Sequence, residues 1–84
     1  MAEPNPEELV LLGIKSYEKQ DFSKARKYFE KACDLNNGDG CGTLGGLYYN
    51  GDGVKQDSKK AVALFEKACK LGYKKACEML KLLR

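Results

Sequence analysis

The apolar positions of this chain recur at helical spacing and then repeat as a block. Ala25, Tyr28, Phe29 and Ala32 fall at i, i+3, i+4 and i+7, which marks one buried stripe on a helix. Ala61, Leu64, Phe65 and Ala68 restate that stripe at an offset of 36 residues. The pattern predicts five helices. The first starts at Asn5, which caps, with Pro6 at the first helical position and Glu8 completing an N-x-x-E box, and runs to about Lys19. Leu9, Leu12 and Ser16 share one of its faces, and Val10, Ile14 and Tyr17 lie off it. With apolar residues around most of its circumference, this helix is expected to be covered on more than one side. Asp21 caps the second helix, which runs to about Asp34. The turn formers from Asn36 to Gly40 separate it from a third helix over roughly Gly40 to Tyr49, with Leu44, Leu47 and Tyr48 inward. Asp57 or Ser58 caps a fourth helix to about Leu71, Gly72 stops it, and a fifth runs from about Lys74 to the end, with Ala76, Met79, Leu80 and Leu83 on one face. Met1 to Pro4 read as a frayed lead.

The block repeat fixes the organisation. Leu12-Gly13, Leu44-Gly45 and Leu80-Lys81 occupy equivalent positions, as do Lys19-Gln20-Asp21 and Lys55-Gln56-Asp57. The second copy carries an insertion, Gly51 to Val54, that the first lacks. Helix pairs repeating every thirty-odd residues indicate an all-α, α/α solenoid. Residues 1–84 make one domain: repeat one over about 6–37, repeat two over about 38–73, and a C-terminal capping helix over about 74–84. The third helix holds Gly40, Gly42, Gly45 and Gly46, each costing roughly 1 kcal/mol against alanine. Close packing against a neighbour is the expected compensation.

Cysteine usage follows the repeat. Cys33 and Cys41 are eight residues apart, and so are Cys69 and Cys77. An even count at regular spacing in a small domain reads as a disulfide framework. Equivalent positions should do equivalent jobs, which selects Cys33–Cys41 and Cys69–Cys77. Within one straight helix, residues eight apart would be about 12 Å apart along the axis, beyond the roughly 7 Å that a disulfide tolerates. The chain must therefore reverse between the members of each pair, and Gly38, Gly40 and Gly72 stand where it would. A redox centre would favour C-x-x-C, which is absent. A zinc site would favour close-spaced cysteines or histidine, and there is no histidine. No metal or cofactor is therefore expected.

Other motifs dissolve in their context. Gly40, Gly42 and Gly45 match G-x-G-x-x-G, but no strand precedes them and no βαβ unit surrounds them. Gly51-Asp52-Gly53 lacks the carboxylates of a calcium loop and the lysine of a phosphate loop. Net charge is +3, with lysines spread along helices as on a solvated face, so nucleic acid is not an expected partner. No apolar run approaches the ~20 residues of a membrane span, and no signal-peptide pattern occurs. Either the chain is cytosolic, or a mature secreted form begins near Ala2 with Met1 added for expression.

Leu9, Leu12, Gly13, Ala25, Phe29 and Ala32 match the tetratricopeptide scaffold. Leu44-Gly45, Tyr48-Tyr49, Gly51, Gly53-Val54, Asp57, Lys60-Ala61, Phe65 and Ala68 match its SEL-like variant. With the paired cysteines, the chain resembles the cysteine-rich SEL-like repeat proteins of Helicobacter from about Glu7 to Leu83. The resemblance implies disulfides from the second helix of one unit to the first helix of the next, on Cys33–Cys41 and Cys69–Cys77. It also implies a secreted or periplasmic location and more repeats than are present here, so a shortened or engineered form is one reading.

The resemblance further implies an association with penicillin binding and slow β-lactam hydrolysis. Ser16 and Lys19 do match S-x-x-K, but the S-D-N and K-T-G partners of serine β-lactamases are absent and no histidine is present as a base. No catalytic residue is assigned. In tetratricopeptide-type superhelices the first helix of each unit lines a concave, peptide-binding side. By frame position that side holds Ile14, Tyr17 and Glu18 in unit one and Gly42, Gly46, Tyr49 and Asn50 in unit two. The candidate peptide-binding residues are Tyr17, Glu18, Gly46, Tyr49 and Asn50, able to stack and hydrogen-bond. Simple core packing is the competing reading for Ile14, Tyr17 and Tyr49. The functional expectation is a monomeric scaffold with a protein or peptide ligand. The alternatives are a β-lactam-binding protein and an engineered chain with no ligand.

Overall fold

The computed structural model describes residues 5–83. The expected lead, Met1 to Pro4, and the final residue of the capping helix, Arg84, lie outside them. Five helices follow in order: α1 (Pro6–Glu18), α2 (Phe22–Asp34), α3 (Gly38–Asn50), α4 (Ser58–Lys70) and α5 (Lys74–Leu83). Each packs chiefly on its neighbours in sequence, and α1 touches α3 only lightly. The result is elongated, with extents of 42 × 25 × 16 Å. We refer to α1–α2 as unit one and α3–α4 as unit two.

The turns between helices are built economically. Gln20, Asn36 and Gly72 each take a left-handed conformation just past a helix end, at φ 65°, 63° and 94°. The next residue then donates its N–H back into the finished helix: Asp21 to Ser16 O, Asn37 to Ala32 O, Tyr73 to Ala68 O. Asp21 and Asn37 serve twice, because their side chains also cap the helix that follows. Asp21 Oδ1 accepts from Lys24 N and Asn37 Oδ1 accepts from Gly40 N. Using Asn37 as the cap starts α3 at Gly38, two residues before the start read from the sequence.

The core is the repeated stripe. Ala25, Phe29 and Ala32, and their counterparts Ala61, Phe65 and Ala68, are all buried. Each phenylalanine ring lies on a glycine of the preceding helix. A Cβ added to Gly13 would stand 2.6 Å from the Phe29 ring, and one added to Gly45 would stand 2.9 Å from the Phe65 ring. The small-against-large pairing lets the two helices of each unit approach closely. In α5 the equivalent position is Lys81, which is exposed. The last helix therefore offers no glycine socket for another phenylalanine.

One expectation fails. Only one side of α1 is covered: Leu9, Gly13 and Ser16 are buried, while Leu11, Leu12, Ile14 and Tyr17 are 58%, 42%, 42% and 39% exposed. The reason is its position. The third helix lies between α2 and α4 and buries six residues, whereas α1 has only α2 as a close neighbour.

Candidate functional site: the first-helix face and its joints

The covalent joints set how the helices of the face are held. Cys33 in the last turn of α2 is bonded to Cys41 in the first turn of α3, with Cα atoms 4.5 Å apart. Cys69 in α4 is bonded to Cys77 in α5, with Cα atoms 4.9 Å apart. The tight α2–α3 reversal needs Gly40, since a Cβ there would meet the Ala32 Cβ at 2.6 Å. The two joints differ in surroundings. Cys33 and Cys41 are 3% and 0% exposed, whereas Cys69 and Cys77 are only half-buried. Lys67 Nζ reaches back to donate to Cys33 O at 3.3 Å, adding a polar clasp between α4 and the first joint.

Equivalent positions on the three first-type helices are Ile14 on α1, Gly46 on α3 and Leu82 on α5. All three face space. Leu82 is 80% exposed, and a Cβ on Gly46 would meet nothing within 4 Å. Between α3 and α5 lies a groove of about 430 Å³, lined by Gly42, Gly46, Phe65, Tyr73, Met79 and Leu82, with Lys75 and Glu78 as its charged members. Gly42, expected as part of the open face, is instead covered, because its missing Cβ would stand 2.5 Å from the Tyr73 ring.

The other residues read from the sequence do not converge on one point. The Tyr17 hydroxyl donates to Asp52 Oδ2 at 3.1 Å, and its ring meets Phe22 edge-on at 5.0 Å. That hydrogen bond, with burial and the nearby Asp52 charge adding to it, raises the Tyr17 phenol above its usual value near 10. Tyr49 is half-buried, and its carbonyl accepts from Gln56 Nε2 at 2.7 Å. Glu18 and Asn50 are exposed where α1 and α3 finish. Among the described residues no hydrogen bond or ring contact joins Tyr17 to Tyr49. Gly46 alone of the five candidates lines the groove.

Two contributors were missed in the sequence. Tyr73, Met79 and Leu82 shape the groove from α5 and the turn before it. Their signal was available, since Leu82 falls in register with Ile14 and Gly46. The second is the Gly51–Val54 insertion, which works as a strap. Asp52 accepts the Tyr17 hydrogen bond, and Gly53 sits so close to Phe22 that a Cβ would come within 2.7 Å of its backbone carbonyl carbon.

The S-x-x-K pair has ordinary helix geometry. Ser16 Oγ donates to Leu12 O at 2.9 Å, the bond a helical serine makes to its own preceding turn. Among the described residues no group of three or more His, Cys, Asp or Glu side chains could hold a metal ion, and no helix is long and apolar enough to cross a membrane.

Comparison with known proteins bears on the repeat fold. The Sel1 repeat model matches residues 43–73, and the tetratricopeptide repeat model matches residues 6–39. A Helicobacter pylori protein named "Putative beta-lactamase HcpC" is 64% identical over 55 residues, which are 66% of this chain and 19% of HcpC. "Beta-lactamase HcpA" of the same species is 57% identical over 54 residues, 64% of this chain and 22% of HcpA. The solved structure of Helicobacter pylori cysteine rich protein B superposes with a TM-score of 0.80 at 42% identity, covering 89% of this chain and 59% of that one. The chain thus spans about a fifth of the length of these curated relatives.

Proposed function

We propose, for a chain that belongs to the cysteine-rich Sel1- and tetratricopeptide-type repeat proteins, that it is a binding scaffold whose first-helix face takes a protein or peptide ligand. The groove of about 430 Å³ between α3 and α5 carries this reading. Its lining is apolar, its floor at Gly46 is open, and Lys75 and Glu78 supply charge of both signs at its edge. Such a groove suits one or two side chains of an extended peptide, with the exposed Ile14 face as its continuation. In this reading Tyr49 and Asn50 contribute at the far end of α3, Glu18 at the end of α1, and Tyr17 acts mainly by holding the strap. The scaffold works as a monomer, without nucleic acid or membrane. Its location is secreted or periplasmic, in keeping with two disulfides.

Gly46→Leu tests the proposal. Nothing obstructs the new side chain, and replacing a helical glycine adds up to about 1 kcal/mol of stability. A peptide selected from a library against the native chain should bind Gly46→Leu at least tenfold more weakly, with folding intact. Unchanged affinity would remove the groove from the function, and a library that yields no binder would favour a ligandless, shortened or engineered chain.

The names of HcpA and HcpC motivate a second reading, β-lactam binding or slow hydrolysis. Turnover of a chromogenic β-lactam by this chain that disappears in Ser16→Ala would support it. Turnover no faster than buffer would count against it.

A further inference from the structure

The α3–α5 groove has two glycines on its α3 side, one turn apart, and the chain treats them unequally. Over Gly42 lies the Tyr73 ring, 2.5 Å from where a Cβ would stand, and over Gly46 lies nothing within 4 Å. One place in the groove is thus filled by the chain's own ring, and the place one turn on is open. Phe65, Met79 and Leu82 wall the same groove. The open floor is set by Gly46 itself, on the middle helix of the five.

The repeat indicates what suits that place. The register that aligns Leu12, Leu44 and Leu80 puts Gly46 level with Ile14 on α1 and Leu82 on α5. The outer two first-type helices each present an aliphatic side chain at this level, and the middle one presents none. The same register puts Gly42 level with Val10 and with Glu78. Glu78 lines the groove, is exposed, and has no ion-pair partner among the described residues.

Spacing decides which charge a ligand meets. Gly42 to Gly46, and Glu78 to Leu82, are steps of four helical residues, about 6 Å along the axis. Two residues of an extended chain cover about 6.6 Å, and side chains two apart point the same way. A peptide with one side chain over Gly46 therefore aims its second neighbour at the level of Glu78. Lys75 lies about 10 Å along the axis from the level of Leu82. That is closer to three residues of extended chain, and a third neighbour points away.

We propose that this groove reads a short motif in an extended peptide: an aliphatic side chain seated over Gly46, with a lysine or arginine two positions away paired to Glu78. The inference rests on the α3–α5 groove being the ligand site, and it adds what the ligand carries. Its chemistry is recognition only.

The test is a backbone NMR titration of the chain with the acetylated, amidated pentapeptide Lys-Ser-Ile-Ser-Lys, whose symmetry serves either direction of binding. Saturable shifts are expected at Gly46, Glu78, Met79 and Leu82. Alanine in place of the central isoleucine should weaken binding at least fivefold through lost apolar burial, and phenylalanine at least threefold. Glutamate in place of both lysines should weaken it about two- to fivefold, the scale of an exposed ion pair. The net charge of +3 favours the glutamate peptide at long range, so a lysine preference reports the local pair. Phenylalanine binding as tightly as isoleucine overturns the aliphatic anchor, and glutamate binding as tightly as lysine overturns the pairing. Glu78→Lys should reverse the charge preference, and a preference left unreversed overturns the assignment to Glu78. Gly46→Ile, which gives α3 the side chain that α1 carries, should weaken the lysine peptide at least tenfold, and unchanged affinity refutes the seat. Should either variant fail to fold, the peptide series on the native chain decides. No saturable shift with any of these peptides overturns the motif. The groove reading is judged apart from it: a library-selected peptide that Gly46→Leu displaces but that anchors through a ring would keep the groove and remove the motif.

Discussion

Tyr17, a ligand-facing aromatic or a core residue by its sequence position, also anchors the Gly51–Val54 strap through a hydrogen bond to Asp52 across 35 positions of sequence. Helical periodicity reports local faces, so a partner in a distant insertion leaves no trace in it. The contact has a pH signature. A phenol held above its ordinary value favours the protonated form in the folded state. Its contribution is fully present below the unfolded value near 10 and is lost as pH rises through the higher folded value. The Tyr17 ring carbon signal in NMR should therefore titrate above pH 10, and Asp52→Asn should bring the midpoint down. Denaturant stability of the native chain should start to fall above pH 10, and less so in Tyr17→Phe. An Asp52→Asn midpoint equal to that of the native chain would sever the link.

At the scale of a helix, the stripes, caps and turns were legible because each depends on residues a few positions apart. Asp21 and Asp57 cap where Asx residues precede apolar periodicity, whereas Asn37, read from the sequence as part of a turn, caps α3 two residues earlier than expected. The coverage of α1 was not legible, since apolar character shows what a helix can bury and only its place in the array shows what covers it. The glycines of α3 make the same point. Gly45 and Gly46 are adjacent and indistinguishable by propensity, yet a Cβ on Gly45 would stand 2.9 Å from the Phe65 ring and 3.3 Å from Ala61 O, while one on Gly46 meets nothing. Alanine at either site gains up to about 1 kcal/mol in helix propensity. At Gly45 that gain is opposed by overpacking of roughly 1–3 kcal/mol. Gly46→Ala should raise the thermal midpoint by about 4–8 °C for each kcal/mol gained, and Gly45→Ala should lower it. Equal shifts in one direction would mean that Phe65 yields without cost.

At the scale of the molecule, the offset between repeats made the solenoid and its staples readable, because symmetry carries over a whole chain what periodicity carries over one helix. Symmetry does not show that equivalent joints sit in unequal surroundings. Cys33–Cys41 lies inside the array, buried, with unit two and the Lys67 clasp over it. Cys69–Cys77 is half-buried and holds a helix that packs chiefly on α4. Thiol attack requires access to sulfur, and in a linear array an end unit can open while its neighbours stay folded. Limiting reductant followed by alkylation and mass spectrometry should therefore label Cys69 and Cys77 first. Amide hydrogen exchange on that species should show protection lost in α5 and retained from α1 to α4. Each bridge closes a short loop, which the chain-entropy model values at roughly 2–3 kcal/mol. Paired serine substitution at Cys69 and Cys77 should cost about that amount. The same change at Cys33 and Cys41 should cost more, since it also buries two hydroxyls in the centre of the core. Simultaneous opening of both bridges, with protection lost everywhere at once, would mean that the joints form one cooperative unit and that α5 does not open independently.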